Sequence, residues 1–180
     1  MNRLWLVRHA QPVVAAGVCY GATDMPADTA ATNAAAAALA TVLPQAARLW
    51  SSPMRRCAQL ADALRLVRPD LHLRLDARLV EMDFGCWEGV PWDAIPKAAI
   101  DAWTAQFWHW RFGGRDSVAA LMARAGAAWA DTHRDPGPVV WVTHAGVIRA
   151  AGLLARGITT VQDAAQWPAQ APGFGQHMRL

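Results

Sequence analysis

Leu4, Trp5, Leu6 and Val7 form an unbroken apolar run that stops on two polar neighbours, Arg8 and His9. Such a run suits a strand buried on both faces of a parallel sheet. The theme returns at Pro138-Val139-Val140-Trp141-Val142-Thr143-His144, a second buried strand that ends on a histidine. Two shorter strands are predicted between them. One covers residues 47–50 and runs into Ser51-Ser52-Pro53; the other covers residues 71–75, whose alternation marks a half-buried strand. A last edge strand is expected within residues 174–180.

Helical spacing fills the intervals. Asp28 or Thr29 can cap a helix over residues 30–43, whose five consecutive alanines favour close docking on a sheet. Ser52 as N-cap and Pro53 at the first helical position predict a helix through residues 54–67, with Leu60, Leu64 and Val67 as its apolar stripe. Residues 92–112, rich in tryptophan and phenylalanine, are expected to be helical. Asp116 or Ser117 should cap a helix running towards His133, and Ala145-Gly146 opens a helix that Gly157 stops. This β-α-β-α order implies an α/β fold, a three-layer α/β/α arrangement around a mostly parallel central sheet.

At 180 residues, 54% hydrophobic and 17% charged, the chain is predicted to be one globular domain over residues 1–180. A net charge of +3 without a dense basic block argues against a nucleic-acid partner. The longest apolar stretch, residues 34–43, is too short to span a bilayer, so no membrane partner is expected. Cys19, Cys57 and Cys86 suggest neither a disulfide framework nor a metal knuckle. With no secretory pattern at the N-terminus, the expected location is cytoplasmic.

Candidate chemistry gathers at element ends, where open α/β sheets bind ligands. Arg8 offers a fixed cation and His9 a titratable nitrogen. Arg55 and Arg56 fall in the first turn of a helix, the end at which cations are locally unfavourable and anions are bound. The chain has two glutamates, and both lie in the loop-like segment Leu79-Val80-Glu81-Met82-Asp83-Phe84-Gly85-Cys86-Trp87-Glu88-Gly89, which has the character of a pocket wall. His144 would face the same crevice as Arg8 and His9 if their strands are neighbours. His109, His133 and His177 belong to no motif and are expected to be exposed. Walker, dinucleotide-binding, zinc-protease and nucleophile-elbow motifs are missing, so no cofactor and no metal is expected.

Four pieces in register resemble the histidine phosphatase superfamily, also called phosphoglycerate-mutase-like. They are Leu6-Val7-Arg8-His9-Ala10, Ser51-Ser52-Pro53-Met54-Arg55-Arg56-Cys57-Ala58-Gln59, the segment from Leu79 to Gly89, and Val142-Thr143-His144-Ala145-Gly146-Val147-Ile148-Arg149. The resemblance implies that His9 is the residue phosphorylated and Glu81 the general acid and base. Arg8, Arg56 and His144, the last as an imidazolium, would clamp the phosphate. Within the arginine pair the family register selects Arg56. Gln11, Tyr20, Gly21 and Ala145 would join Arg8, Arg56 and His144 as substrate contacts. Ala10 stands where the family has glycine, and Gly113-Gly114-Arg115-Asp116-Ser117 replaces a Gly-Gly-Glu-Ser run.

The implied activity is metal-independent hydrolysis of a small-molecule phosphomonoester. The pairing of Gly17-Val18-Cys19-Tyr20-Gly21 with the Glu81 segment is similar to α-ribazole-phosphatase-like members, which act in cobalamin nucleotide-loop assembly. Other implied substrates are sugar or small-metabolite phosphates, and a phosphoglycerate mutase-type reaction is a further alternative. A non-catalytic phosphate-binding module is the alternative from another class.

Overall fold

The computed structural model describes residues 4–134 and 136–180. Five strands form one sheet: β1 (Leu4–Arg8), β2 (Arg48–Ser51), β3 (His72–Leu75), β4 (Val139–Thr143) and β5 (His177–Arg179). Their order is β3-β2-β4-β1-β5, parallel throughout except for β5, which runs antiparallel to β1. The helices are α1 (Thr29–Ala40), α2 (Arg55–Val67), α3 (Lys97–Ala105), α4 (Val118–Arg134) and α5 (Ala145–Ala155).

Period-two alternation divides the core into two layers. Leu4 and Leu6 of β1 and Val139 and Trp141 of β4 face Leu121, Met122 and Ala125 of α4 and Val147, Ile148 and Ala151 of α5. Trp5, Val7, Val140 and Val142 turn the other way, onto Ala36 and Leu39 of α1 and Cys57, Leu60 and Leu64 of α2. The fully buried Trp141 satisfies its indole by donating to Thr132 Oγ1 at 3.2 Å. The protein therefore has the three-layer α/β/α fold that its element order implied. Among the described residues no helix is long and apolar enough to cross a membrane.

Four local expectations need correction. Asp28 caps α1 by accepting from Ala31 N at 2.7 Å, but the helix ends at Ala40, short of residue 43. Pro44 disfavours helical backbone before it, and Arg68 donates to the freed carbonyls of Ala40, Leu43 and Pro44, each at 3.0 Å. Helix α2 begins at Arg55, and Ser52 is not its N-cap residue; the position belongs to Met54, which makes no side-chain cap. Asp24, from the loop after β1, accepts the Arg55 N–H at 2.7 Å instead.

Residues 92–112 are not one helix. Pro96 delays the start of α3, and Gln106 ends it in a non-helical conformation. The chain then folds back so that Phe112, fully buried, stacks on Trp103 with ring centroids 4.5 Å apart. Burial of aromatic area overrode local helix propensity here. Strand β5 spans only three residues, because Phe174 leaves the sheet edge for the site described next.

Candidate active site

Strands β2, β4 and β1 lie side by side and parallel, so their carboxyl ends open on one edge of the sheet. Beyond that edge is a cavity of about 190 Å³ lined by Arg8, His9, Tyr20, Arg56, Glu81 and His144. Val18, Phe84, Trp92 and Ala145 complete its wall. It is the crevice that the topology of an open α/β sheet creates.

His9 is 2% exposed and follows β1 directly, with its backbone N–H donated to Thr143 O at 3.0 Å. Its Nδ1 lies 2.7 Å from Ala10 O. A carbonyl only accepts, so Nδ1 carries the proton and Nε2 keeps its lone pair. Burial, reinforced by Arg56 and Arg8 against the opposing bond to Ala10, lowers the His9 pKa to about 3. The ring is therefore neutral across the physiological range, with its Nε2 lone pair unprotonated.

Arg56 is fully buried, whereas its neighbour Arg55 is exposed. The Arg56 guanidinium donates to Thr23 O at 2.8 Å and to Gly21 O at 2.6 Å. Arg8 donates to Pro172 O at 3.1 Å and lies over the Phe174 ring, 3.9 Å from its centroid. In both arginines the Nε is buried and has no hydrogen-bond partner among the described residues. Both arginines line the cavity, and a buried, charged N–H donor without an acceptor is stabilised by an anion placed beside it.

His144, 1% exposed, bonds Ser52 Oγ through Nε2 at 2.9 Å, and its ring centroid lies 5.2 Å from that of His9. Burial first, then the charge of Arg56 and the proximity of His9, hold its pKa well below the ordinary value. The imidazolium expected from the sequence is thus a neutral imidazole in this structure. The positive charge lining the cavity therefore comes from the guanidiniums of Arg8 and Arg56.

Glu81 reaches the cavity from the segment between β3 and α3. Its Oε1 accepts from Met82 N at 3.0 Å and its Oε2 from Gly146 N, in the first turn of α5, at 2.9 Å. A Cβ on Gly146 would fall 2.3 Å from Glu81 Oε1, so this helix end must be bare for the carboxylate to dock. Thr143 Oγ1 donates to Leu79 O at 2.8 Å, which ties the Glu81 segment to the end of β4.

Arg8, His9, Tyr20, Arg56, Glu81, His144 and Ala145 thus converge as the sequence suggested. Gln11 and Gly21 do not line the cavity. Gln11 is exposed and lies in a separate depression with Pro12, Val13, Val14, Ala15 and Asp28, because the chain turns outward after His9. Gly21 works through its backbone: it accepts from Arg56 and sits where a Cβ would meet Met82 O at 1.8 Å.

Sequence reasoning missed Phe174 and the bond from Ser52 to His144. Phe174 carries no local signal, whereas the rarity of glutamate in this chain already pointed to Glu88. Among the described residues, no group of three or more His, Cys, Asp or Glu is arranged to hold a metal ion.

Comparison with known proteins agrees with this geometry. The family model of the histidine phosphatase superfamily (branch 1) matches residues 4–169. A search of curated proteins finds no match. Among solved structures, the mycobacterial glucosyl-3-phosphoglycerate phosphatase is similar at 26% identity, with a TM-score of 0.81 over 99% of this chain and 89% of that one. A protein titled mycobacterial hydrolase 2 shares 27% identity and a TM-score of 0.82, covering 99% of this chain and 81% of its own. TTHB049 from Thermus thermophilus shares 28% identity and a TM-score of 0.74, covering 98% of this chain and 91% of that one. The match spans β1 through α5 and includes every side chain that lines the cavity, so the chain belongs to the histidine phosphatase superfamily, branch 1.

Proposed function

We propose that this phosphatase hydrolyses a phosphomonoester through a phosphohistidine at His9, without a metal ion. The observation that carries this reading is the pair of unpartnered guanidinium Nε–H groups, on Arg8 and Arg56, beside a histidine whose Nε2 lone pair is free. Nε2 attacks phosphorus, a P–N bond forms, and the ester P–O bond breaks. Protonated Glu81 gives its proton to the departing alkoxide. As a carboxylate it then takes a proton from the water that attacks the phosphohistidine, which frees His9 and inorganic phosphate. Throughout, Arg8 and Arg56 meet the charge on the phosphoryl oxygens from fixed positions, the type of stabilisation that contributes most in phosphoryl transfer.

The substrate we favour is α-ribazole 5′-phosphate, whose hydrolysis belongs to cobalamin nucleotide-loop assembly. A cavity of about 190 Å³ holds the phosphoryl group and the first atoms of its ester, so the rest of the alcohol lies along the rim. Val18, Phe84 and Trp92 form that side, and Trp92, 38% exposed, contacts Phe84 edge-on at 5.6 Å. An apolar, aromatic wall suits a planar base better than a polyhydroxylated sugar. The second reading, a sugar-acid phosphate, is supported by the likeness to the glucosyl-3-phosphoglycerate phosphatase.

Steady-state assays with α-ribazole 5′-phosphate, glucosyl-3-phosphoglycerate and p-nitrophenyl phosphate, each with and without excess chelator, test both proposals. The first substrate should lead the others in kcat/KM by about tenfold or more, the worth of a well-filled pocket, with chelator making no difference. A lead for glucosyl-3-phosphoglycerate selects the second reading. Activity abolished by chelator and restored by magnesium refutes the metal-free mechanism.

A further inference from the structure

Glu88 lies outside the cavity, yet it is the most heavily hydrogen-bonded carboxylate near it. It accepts backbone N–H bonds from Gly21 at 3.0 Å, Ala22 at 2.9 Å, Thr23 at 3.0 Å and Phe84 at 3.0 Å, and also the Thr23 hydroxyl. The carbonyls of the same loop, Gly21 O and Thr23 O, hold the Arg56 guanidinium. One peptide unit makes the link directly. The amide joining Gly21 to Ala22 accepts from Arg56 Nη2 through its oxygen and donates to Glu88 Oε1 through its N–H.

We infer that Glu88 is a positioning residue that fixes Arg56 for phosphate through the loop of residues 21–23. This rests on the reading of Arg56 as a phosphate donor. An anion on the N–H side of an amide and a cation on its oxygen side polarise it in the same sense, so each bond strengthens the other. Burial alone would raise the Glu88 pKa, but the bonds from Thr23, Gly21, Phe84 and Ala22 outweigh it and leave the pKa lowered, so Glu88 is a full anion at neutral pH. The loop has little freedom of its own, since Gly21 is pressed against Met82 O and an added Cβ there would sit 1.8 Å from it. With Glu88 in place, Thr23 O and Gly21 O each take one N–H of the Arg56 guanidinium, and its other N–H groups remain for the ligand.

The test is a double-mutant cycle read by orthovanadate affinity, with the full chain and circular dichroism to verify folding. Arg56→Ala should weaken vanadate binding strongly. Glu88→Gln, which keeps the volume but replaces one acceptor oxygen with a donor, should weaken it roughly 10- to 100-fold in the wild-type background. In the Arg56→Ala background the same change should cost no more than about 3-fold, because the effect passes through Arg56. Thr23→Val removes only the hydroxyl donor and should show a smaller loss with the same dependence on background; it serves if Glu88→Gln does not fold.

Equal losses in both backgrounds, or no loss in the wild type, overturn the inference while leaving Arg56 as a phosphate ligand. Vanadate binding unaffected by Arg56→Ala overturns the reading of the site, and the inference with it.

Discussion

His9 illustrates how far a residue's chemistry depends on its surroundings. Its ordinary pKa would leave it partly charged near neutrality, but burial beside Arg56 and Arg8 lowers the value to about 3, and Ala10 O fixes the tautomer. A neutral ring with a free Nε2 is the form that can attack phosphorus. In enzyme free of phosphate, NMR should show the His9 ring uncharged from about pH 7 down to about pH 5. A midpoint near the ordinary value would show that burial and the arginines do not govern it.

The sign of the stability effect follows. The folded pKa lies below the unfolded one, so below about pH 6.5 the unfolded chain binds a proton that the folded chain refuses. Stability is unaffected by His9 above that range and declines as pH falls towards the folded value. At pH 5 the loss from His9 is about 2 kcal/mol, and His144 acts in the same direction. Melting temperatures measured across this range should fall accordingly.

At the level of single elements, the start of α2 separates two arginines that are adjacent in sequence. Successive residues on a helix point about 100° apart, so Arg55 and Arg56 cannot face one site. Arg55 is exposed, and its backbone N–H is capped by Asp24, whereas Arg56 is buried in the cavity wall. Removing a donor to the transition state costs about 10²–10³ in rate. Arg56→Ala should lose about that much in kcat/KM, and Arg55→Ala should remain within about a few-fold of wild type. Arg56→Lys should recover only part, since an ammonium keeps the charge but lacks the planar fork whose separate nitrogens reach Gly21 O and Thr23 O while still facing phosphate at two points. Equal losses at the two positions would contradict the helix register. A second helix start matters at α5, whose bare first turn receives the Glu81 carboxylate at Gly146 N.

Taken whole, the molecule closes its site with its last strand. Antiparallel pairing of β5 with β1 brings residues 172–176 back over the opening motif. Gly175 N donates to His9 O at 3.0 Å, Pro172 O accepts from Arg8 at 3.1 Å, and Phe174 covers the Arg8 guanidinium and lies 5.4 Å from the His9 ring. Cation–π contacts of this type contribute about 0.5–2 kcal/mol, more when desolvated. Phe174→Ala should therefore raise KM or lower kcat/KM by roughly 3- to 30-fold with the fold intact, and Phe174→Leu should not restore it. Wild-type kinetics in Phe174→Ala would show that the ring is packing only.

The chain by itself determined the buried strands, their polar ends and the layer order, because unbroken apolar runs and alternating faces follow from strand geometry alone. It also marked His9, the pair Arg55 and Arg56, Glu81 and His144, each at an element end or in a loop that carries a rare residue type. Tertiary structure decided what depends on contact between distant segments. The neutrality of His144 comes from burial beside Arg56, and the displacement of Gln11 comes from the path of the loop after β1. The breaking of residues 92–112 comes from aromatic packing around Phe112. The cover of Phe174 over Arg8 exists only because β5 pairs beside β1, a contact between opposite ends of the chain that no local pattern encodes.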